Sequence, residues 1–298
     1  MVADPRIAIV GAGAVGCIVA SALIRNGESF IWCESSRRRL REISSPRIEI
    51  GDQLLDIEHE LITVEADASA IPDGLDLLVI AVKSMHVQTV LDSVTYDPSS
   101  TLVIANGYLQ GDFNLGLLYG GGSVSADGTA MLMPDNRLVC GALGTADRIE
   151  LDSRLQAPWL QLAADTDIEV RMFHKLALNC VINPLSVIID GPNGLVSGPA
   201  HRTLVKAILS EADLVARTLL GERWIYNPVS LLEDCLYLID LTASNTSSMR
   251  ADIMAGRKPE VSTLNLAIAS LGEENGIKCP CNTYIGSMIS LLANSGVL

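Results

Sequence analysis

The sequence predicts a two-part fold in which an α/β domain is followed by an all-α domain. Up to about residue 168, short apolar runs of the kind found in buried strands alternate with segments of helical periodicity. This alternation is typical of a parallel sheet covered on both faces. After that point long amphipathic helical patterns take over. Because 298 residues is long for one core, we predict separate domains over residues 1–168 and 169–298.

Hydrophobic patterning and turn signals place the elements within each domain. In the first domain we predict strands at 6–10, 29–33, 75–82 and 101–105, helices at 14–26 and 87–94, and one or two hairpin strands within 47–64. In the second domain we predict helices at 170–183, 200–220, 228–244, 259–273 and 282–294. Pro184 should kink or end the first of these helices, because proline removes a backbone donor and disfavours the α conformation before it.

Composition narrows the class of partner and the compartment. A net charge of −14 argues against nucleic acid or an anionic membrane surface as partner. The uncharged run 7–24 is long enough to span a membrane, but its glycines lie where a strand would turn into a helix. Seven scattered cysteines fit a reducing compartment, so we expect a cytoplasmic protein. The oligomeric state stays open, and a homodimer is compatible with the sequence.

No metal site is expected. Cys279 and Cys281 stand two residues apart, but no second cysteine or histidine pair follows at ligand spacing. The ordinary interpretation is a pair of free thiols. Whether these two cysteines have any further role stays open.

The strongest local motif is the sequence GAGAVG at residues 11–16. It has the spacing G-x-G-x-x-G directly after a predicted strand and at the start of a predicted helix. In such a motif the first glycine permits the tight turn, the second lets the backbone approach a pyrophosphate, and the third lets the helix pack on the strand. We therefore predict a Rossmann-type doubly wound sheet, although a purely structural glycine turn is the alternative. The expected cofactor contacts here are Gly11, Gly13, Ala14, Val15 and Gly16.

The residues after the second strand point to two different dinucleotides. Glu34 stands where a carboxylate usually bonds the ribose 2′-hydroxyl of NADH. Ser35 and the arginines 37–39 follow at once and could bind the 2′-phosphate of NADPH, with Arg37 and its neighbours supplying guanidinium groups. The alternative for these arginines is a solvated start of a helix.

Two more polar residues follow predicted strands. Lys83 comes after the strand at 75–82, and Asn106 comes after the strand at 101–105. Ligands of Rossmann-type sheets bind outside the carboxyl ends of the strands, so we expect both residues near the glycine motif. Taken singly, each is more often a turn or helix-entry residue.

The helical half carries a polar stripe. Lys175, Asn179 and Asn183 are each one helical turn apart in an otherwise apolar segment, so their side chains project the same way. Further along, Asn245, Ser248 and Asp252 recur at helical spacing, and Glu260 follows Pro259. The alternatives are an exposed polar helix face and a glutamate that suits the first turn of a helix begun by Pro259.

Several strings together resemble the ketopantoate reductases (2-dehydropantoate 2-reductases): GAGAVG, AVKSMHV, IANG, KLALNCVINPL, PNG at 192–194 and SSMRADIMAGRKPE. The resemblance implies that Lys175 is the catalytic acid, that Lys83 contacts the cofactor and that Asn106 contacts cofactor and substrate. It also implies that Glu260 and Asn106 take part in catalysis. The residues implied to hold the substrate or to orient the lysine are Asn179, Asn183, Ser248 and Glu260. We also expect Lys175 and Asn245 to contact the substrate. Members of this family mostly use NADPH.

The expected function is therefore the NADPH-dependent reduction of 2-dehydropantoate to pantoate, a step of pantothenate and coenzyme A biosynthesis, with NADH not excluded. This chain reads Val261, Ser262, Asn265 and Leu266 where I-D-x-x-N-G usually follows the glutamate, so it departs from the family at residues 261, 262 and 266. The first alternative is a reductase for a different small 2-oxo acid on the same scaffold. The second is a non-catalytic dinucleotide-binding sensor, which would have no need of a lysine, amides and a carboxylate at these spacings.

Overall fold

The structure is a computed structural model that describes residues 5–57, 59–147 and 152–295. It divides into two compact units. The first comprises residues 1–105 and 110–168, and the second comprises residues 106–109 and 169–298. The short segment 106–109 therefore belongs to the helical unit, whereas the sequence analysis placed it in the first domain.

The strands of the described residues all lie in the first unit. They are β1 (Ile7–Val10), β2 (Phe30–Cys33), β3 (Ile48–Ile50), β4 (Gln53–Leu54), β5 (Ile62–Glu65), β6 (Leu77–Ile80), β7 (Thr101–Ile104), β8 (Phe113–Tyr119), β9 (Gly122–Val124), β10 (Ala130–Leu132), β11 (Asn136–Leu143) and β12 (Leu160–Ala164). The helices of this unit are α1 (Ala14–Arg25), α2 (Arg37–Ile43) and α3 (Ser84–Leu91).

The main sheet has eight strands in the order β12-β11-β8-β7-β6-β1-β2-β5. All neighbours pair in parallel except β8 and β11, which are antiparallel. The chain order reverses at β1, which lies between β6 and β2. In open α/β sheets, ligands bind outside the carboxyl ends of the strands at such a switch point. Because Gly11 follows β1 directly, the sheet topology puts the glycine motif at this position.

The core of the first unit explains why its central strands read as continuous apolar runs. All four residues of each of β1, β2, β6 and β7 are buried, because both faces of the sheet are covered. Trp32, which is fully buried, donates from Nε1 to the carbonyl oxygen of Gly11 at 3.1 Å. The core thereby fixes the start of the glycine loop.

A second, four-stranded sheet in the order β4-β3-β10-β9 completes this unit. Ile48, Ala130 and Leu132 of this sheet belong to the same apolar core as Cys17 and Ile18 of α1. Of the strands within 47–64, β3 and β4 form the predicted hairpin, whereas β5 pairs in parallel with β2 in the main sheet. Glu58 in that stretch lies outside the described residues.

The helices of the second unit are α4 (Ile168–Ile188), α5 (Arg202–Leu220), α6 (Pro228–Leu241), α7 (Ser248–Met254), α8 (Asn265–Glu274) and α9 (Pro280–Ser295). The amphipathic pattern of α5 shows how they pack. Val205, Ile208, Ala212 and Val215 are buried at helical spacing, and Arg217 on another face is exposed.

The expectation that the first of these helices would kink or end at Pro184 was wrong about its end. α4 continues through Pro184 to Ile188. Proline leaves the carbonyl of the residue four positions earlier without its helical donor. Here that carbonyl belongs to Cys180, and it accepts a hydrogen bond from Nδ2 of Asn265 at 2.9 Å. The replacement donor allows the helix to continue.

Two further expectations about local structure were wrong. Helix α8 begins at Asn265, so Pro259 lies in a loop and not at the first helical position. Helix α7 begins at Ser248 and is capped by Ser247, whose Oγ accepts from the backbone N–H of Arg250 at 3.1 Å. Ser248 and Asp252 lie in α7 at the predicted spacing, but Asn245 precedes the helix and is not part of the stripe.

The apolar run 7–24 folds as β1, the glycine loop and most of α1. Across the described residues, no helix is both long and apolar enough to cross a bilayer. The same residues contain no group of three or more His, Cys, Asp or Glu side chains arranged to hold a metal ion. All seven cysteines lie in the described part of the chain and are free.

Candidate functional site

The glycine loop of the first unit is shaped by close backbone contacts. Gly11 has φ +107°, and a Cβ added there would lie 2.5 Å from the carbonyl oxygen of Ala81. A Cβ at Gly16 would lie 2.1 Å from the carbonyl oxygen of Gly11. By contrast, a Cβ at Gly13 would meet nothing within 4 Å. Two glycines are therefore required by the packing of the protein itself, and the third leaves open space beside the loop.

That open space suits a pyrophosphate. Gly13 is the N-cap of α1 and supplies no side-chain hydrogen bond to the N–H groups of Ala14 and Val15 in the first turn. First-turn N–H groups and the positive end of the helix dipole favour an anion. The residues present thus fit the phosphate groups of a dinucleotide at the start of α1.

Glu34 is turned towards the glycine loop. Its Oε2 accepts from the backbone N–H of Ala12 at 3.1 Å, and its Oε1 accepts from the backbone N–H of Ser36 at 2.9 Å. The carboxylate therefore holds the loop and the start of α2 together. Ser35, between these contacts, is exposed.

The three arginines of α2 are not equivalent. Arg38 donates from Nε to Glu42 at 2.9 Å, and Arg39 pairs with the same carboxylate while its Nε donates to the carbonyl of Ala12 at 3.1 Å. Burial would raise the pKa of Glu42, but the hydrogen bonds from the two arginines outweigh it and lower that pKa. Arg37 is exposed, and its guanidinium forms no hydrogen bond or ion pair with any residue that the structure describes. Of the three guanidinium groups that the sequence analysis expected to be available to a phosphate, only that of Arg37 lacks a partner among the described residues.

Lys83 lies between β6 and α3, at the N-cap position of α3, and is half-buried. It stands at the carboxyl end of β6, which pairs with β1. Lys83 and the glycine loop therefore lie at the same edge of the sheet, as the sequence predicted.

In the second unit, α4 presents the predicted polar stripe. Lys175 and Asn179 are half-buried, and Asn183 is buried with 8% of its surface exposed. The side-chain amides of Asn179 and Asn183 form no hydrogen bond with any residue in the described ranges. Neither amide is among the fully buried polar atoms that lack a partner in the described residues, so both are accessible and can hydrogen-bond a ligand.

The environment of Lys175 sets its acidity. Burial disfavours the charged ammonium and lowers its pKa, and the nearby Glu260 carboxylate opposes this shift, leaving the pKa of Lys175 at about 8. At neutral pH the amine is mostly protonated, yet it gives up its proton far more readily than an ordinary lysine. Such a group is suited to proton transfer.

The segment 106–109 packs against the elements that carry these two charged residues. The backbone N–H of Tyr108 donates to the carbonyl of Thr263 at 2.8 Å. Its ring lies 5.5 Å from the ring of Phe173 in α4. Gly107 has φ +89°, and a Cβ there would lie 2.6 Å from the same Thr263 oxygen. The structure thus brings the segment that begins with Asn106 to α4 near Lys175 and to the loop that follows Glu260.

The segment before α7 lies near the other end of the stripe. The hydroxyl groups of Ser186 in α4 and Ser247 are 2.6 Å apart, so Ser248 follows a residue that is tied to α4 three positions beyond Asn183. The side chains of Asn245 and Ser248 are both exposed. Asp252 pairs with Arg257 at 2.9 Å, which accounts for this carboxylate structurally.

Sequence reasoning missed one residue that the structure makes prominent. Asn265 is fully buried and donates to Cys180, but the sequence analysis noted it only in a motif comparison. The signal was present, because a proline inside a helix always leaves one carbonyl in need of a donor.

The first unit defines the class of the protein. A doubly wound sheet with this glycine loop at its switch point is the architecture of Rossmann-type dinucleotide-binding domains. Two family models match it, described as "Ketopantoate reductase PanE/ApbA" over residues 7–112 and "Ketopantoate reductase PanE/ApbA C terminal" over residues 167–293. The chain belongs to the ketopantoate reductase family, whose members are NAD(P)-dependent oxidoreductases.

Curated relatives agree with this assignment. A 2-dehydropantoate 2-reductase from Pyrobaculum aerophilum is 36% identical over 134 residues, which cover 44% of this chain and 47% of the relative. The region of this chain that matches spans about half the length of that relative. A 2-dehydropantoate 2-reductase from Shigella flexneri is 28% identical over 95% of this chain and 94% of its own length.

Among solved structures, the ternary structure of D-mandelate dehydrogenase with NADH and anilino(oxo)acetate has a TM-score of 0.85. It is 19% identical to this chain, and the match covers 97% of this chain and 98% of that structure. At this identity the likeness establishes the fold alone.

The glycine loop generates the first prediction. Gly13→Ala should lower the free energy of unfolding by no more than about 1 kcal/mol, because its Cβ meets no protein atom and the only cost is that of alanine at an N-cap. It should nevertheless weaken dinucleotide binding at least tenfold, because the methyl group takes the space beside the loop. Urea unfolding and a fluorescence titration with NADPH measure the two effects.

Gly16→Ala is the matched variant. Its Cβ would collide with the carbonyl of Gly11, so it should lower the free energy of unfolding by about 1–3 kcal/mol. If Gly13→Ala binds NADPH as tightly as the unmodified protein, the loop does not hold the pyrophosphate.

Proposed function

We propose that the protein catalyses the reduction of 2-dehydropantoate to pantoate with NADPH as the preferred reductant. The observation that carries the proposal is the lysine on α4 with a pKa near 8, beside Glu260 and in line with two amides that have no partner in the described residues. Membership of the ketopantoate reductase family and the names of the curated relatives support the choice of substrate.

Reduction of a ketone builds negative charge on its oxygen. When bound, the reduced nicotinamide supplies the hydride that the carbonyl carbon takes up. The ammonium group of Lys175 stabilises the developing alkoxide and donates the proton that makes it a hydroxyl group. Its lowered pKa helps this transfer, because a weaker hold on the proton brings the acid closer to the operating pH.

The residues around Lys175 have separate tasks in this proposal. Glu260 keeps the lysine protonated, since its carboxylate raises the pKa that burial lowers. The amides of Asn179 and Asn183 donate to the substrate carboxylate and hydroxyl without adding another charge. Asn106, Asn245 and Ser248 supply further polar contacts to substrate or cofactor.

The choice between the two dinucleotides depends on residues 34–39. Glu34 already accepts two backbone hydrogen bonds, which reduces its capacity to bind a ribose 2′-hydroxyl. Arg37 is exposed and has no internal partner among the described residues, so its guanidinium group is available to a 2′-phosphate. Ser35 is exposed beside it. These features favour NADPH, and NADH stays the alternative reductant.

The experiment that tests the function is an assay of nicotinamide absorbance with purified protein, NADPH and a panel of 2-oxo acids. We expect 2-dehydropantoate to give the highest kcat/KM of the panel, by at least tenfold over unbranched 2-oxo acids. The sequence differs from the usual family motif at Val261, Ser262 and Leu266. A higher kcat/KM for an unbranched acid would therefore mean that these differences have changed the substrate. If the protein reduces none of these acids, the non-catalytic dinucleotide-binding sensor becomes the favoured alternative.

The proton-transfer role predicts a pH profile. kcat/KM should be level near neutral pH and fall as the pH rises through about 8, because Lys175 must be protonated. Glu260→Gln removes the charge that raises this pKa, so the fall should begin at a lower pH.

Lys175→Ala should reduce kcat by about 10²–10⁴ with little change in dinucleotide affinity.

Lys206→Ala is the control for loss of a lysine, because Lys206 is exposed on α5. It should behave like the unmodified protein. A Lys175→Ala enzyme within a few-fold of the original kcat would contradict the role of this lysine.

The cofactor preference predicts a selective effect at one arginine. Arg37→Ala should lower kcat/KM for NADPH about tenfold, equivalent to about 1.4 kcal/mol, and leave kcat/KM for NADH nearly unchanged. Arg41→Ala is the control, since Arg41 is also exposed on α2. Equal losses with both dinucleotides, or an original preference for NADH, would show that Arg37 is only a surface residue.

A further inference from the structure

Helix α4 has an unusual hydrogen-bonding problem at the turn that follows Lys175. Pro184 has no N–H, so the carbonyl of Cys180 cannot be paired within the helix. Cys180 is fully buried, and water is therefore a poor substitute. The donor is instead Nδ2 of Asn265, at 2.9 Å.

The orientation of the Asn265 amide is fixed by a second acceptor. Its other Nδ2 hydrogen is donated to Oδ1 of Asn282 at 3.0 Å. Oδ1 of Asn265 is buried and has no hydrogen-bond partner among the described residues. A flipped amide would direct this oxygen at two acceptors, so the chain retains an unsatisfied oxygen in order to supply a donor to Cys180.

Asn282 is itself held in place. Its Nδ2 donates to Glu211 at 2.8 Å and to the carbonyl of Ile208 at 3.3 Å, and its backbone N–H donates to Glu211 at 2.9 Å. Glu211 and Ile208 belong to α5, and Asn282 belongs to α9. The amide of Asn265 is therefore braced by two other helices, and it provides a rigid attachment for α4.

This attachment joins the two segments that carry the charged pair. Cys180 follows Lys175 by five residues on α4, and Asn265 follows Glu260 by five residues. We propose that Asn265 is a positioning residue, whose hydrogen bond to the Cys180 carbonyl holds Lys175 in its place beside Glu260 and away from water. The inference deepens the proposed function and rests on it for its catalytic consequence.

The first test measures the pKa of Lys175 without using activity. In competitive labelling with acetic anhydride at a series of pH values, mass spectrometry reports how strongly each lysine reacts. In Asn265→Ala the pKa of Lys175 should rise from about 8 towards its ordinary value, because burial is the larger of the two influences on it and a loosened helix admits water. Glu260→Gln should shift it downward.

The second test restores the missing donor. Pro184→Ala returns a backbone N–H that can pair with the Cys180 carbonyl, so Asn265→Ala in this background should leave the pKa of Lys175 near 8. In the original background Asn265→Ala should lower kcat about tenfold with little change in KM. In the Pro184→Ala background the loss should be less than about threefold.

Asn193→Ala is the control for the loss of a buried asparagine. Asn193 is also buried in this unit, and its Nδ2 bonds Thr242 and not α4. This variant should lower thermal stability without shifting the pKa of Lys175. The proposal is overturned if Asn265→Ala loses stability but leaves that pKa at about 8, or if Pro184→Ala gives no rescue.

Where Asn265→Ala alone fails to fold, Pro184→Ala with Asn265→Ala must fold and keep the pKa, and failure of the double variant would also overturn the proposal. The labelling result is independent of substrate. A protein that reduces no 2-oxo acid but shows the predicted shifts would contradict the proposed function while supporting the position of Asn265.

Discussion

The helical unit depends on keeping an ammonium group largely out of water. Removing a lysine from solvent costs free energy unless another charge compensates, and Glu260 provides only part of that compensation. The remainder must come from the packing that holds α4 in place. Side-chain hydrogen bonds help to hold this helix, and they include those of Asn265 at Cys180, Ser247 at Ser186 and His174 at Asp234.

Each unit relies on repeated use of one small set of residue types, glycines in the first and asparagines in the second. In the first, three glycines and a tryptophan shape a loop whose open side faces no protein atom at Gly13. In the second, asparagines provide neutral donors where another charge would disturb the lysine. Asn179 and Asn183 are left without partners in the described residues, whereas Asn265 and Asn282 are used to connect helices. The same residue type thus leaves two amides on α4 unpaired among the described residues and connects helices elsewhere in the unit.

The sequence predicted the elements whose signals are local. The strands β1, β2, β6 and β7 are continuous apolar runs, and the glycine motif predicts the start of α1. The region 113–164 was not assigned, because its strands contain glycines and polar residues whose positions make sense only through pairing with neighbours, as in the antiparallel pair β8 and β11. The loop before α8 was mistaken for helix because Glu260 and Thr263 are placed by partners far away in the chain, including Tyr108. The role of Asn265 likewise depends on a partner 85 residues away, the carbonyl of Cys180, so no local pattern identifies it.

The assignment of segment 106–109 to the second unit restricts how chimaeras of related proteins can be made. This segment lies in the chain between β7 and β8 of the first unit, yet it belongs by its contacts to the helical unit. A chimaera with a single crossover near residue 168 would combine the helices of one parent with the 106–109 segment of the other, and the ring of Phe173 and the carbonyl of Thr263 would meet a foreign Tyr108 and Gly107. Inheritance of an intact second unit therefore requires three crossover points, two of which flank the four residues 106–109 between the neighbouring strands β7 and β8.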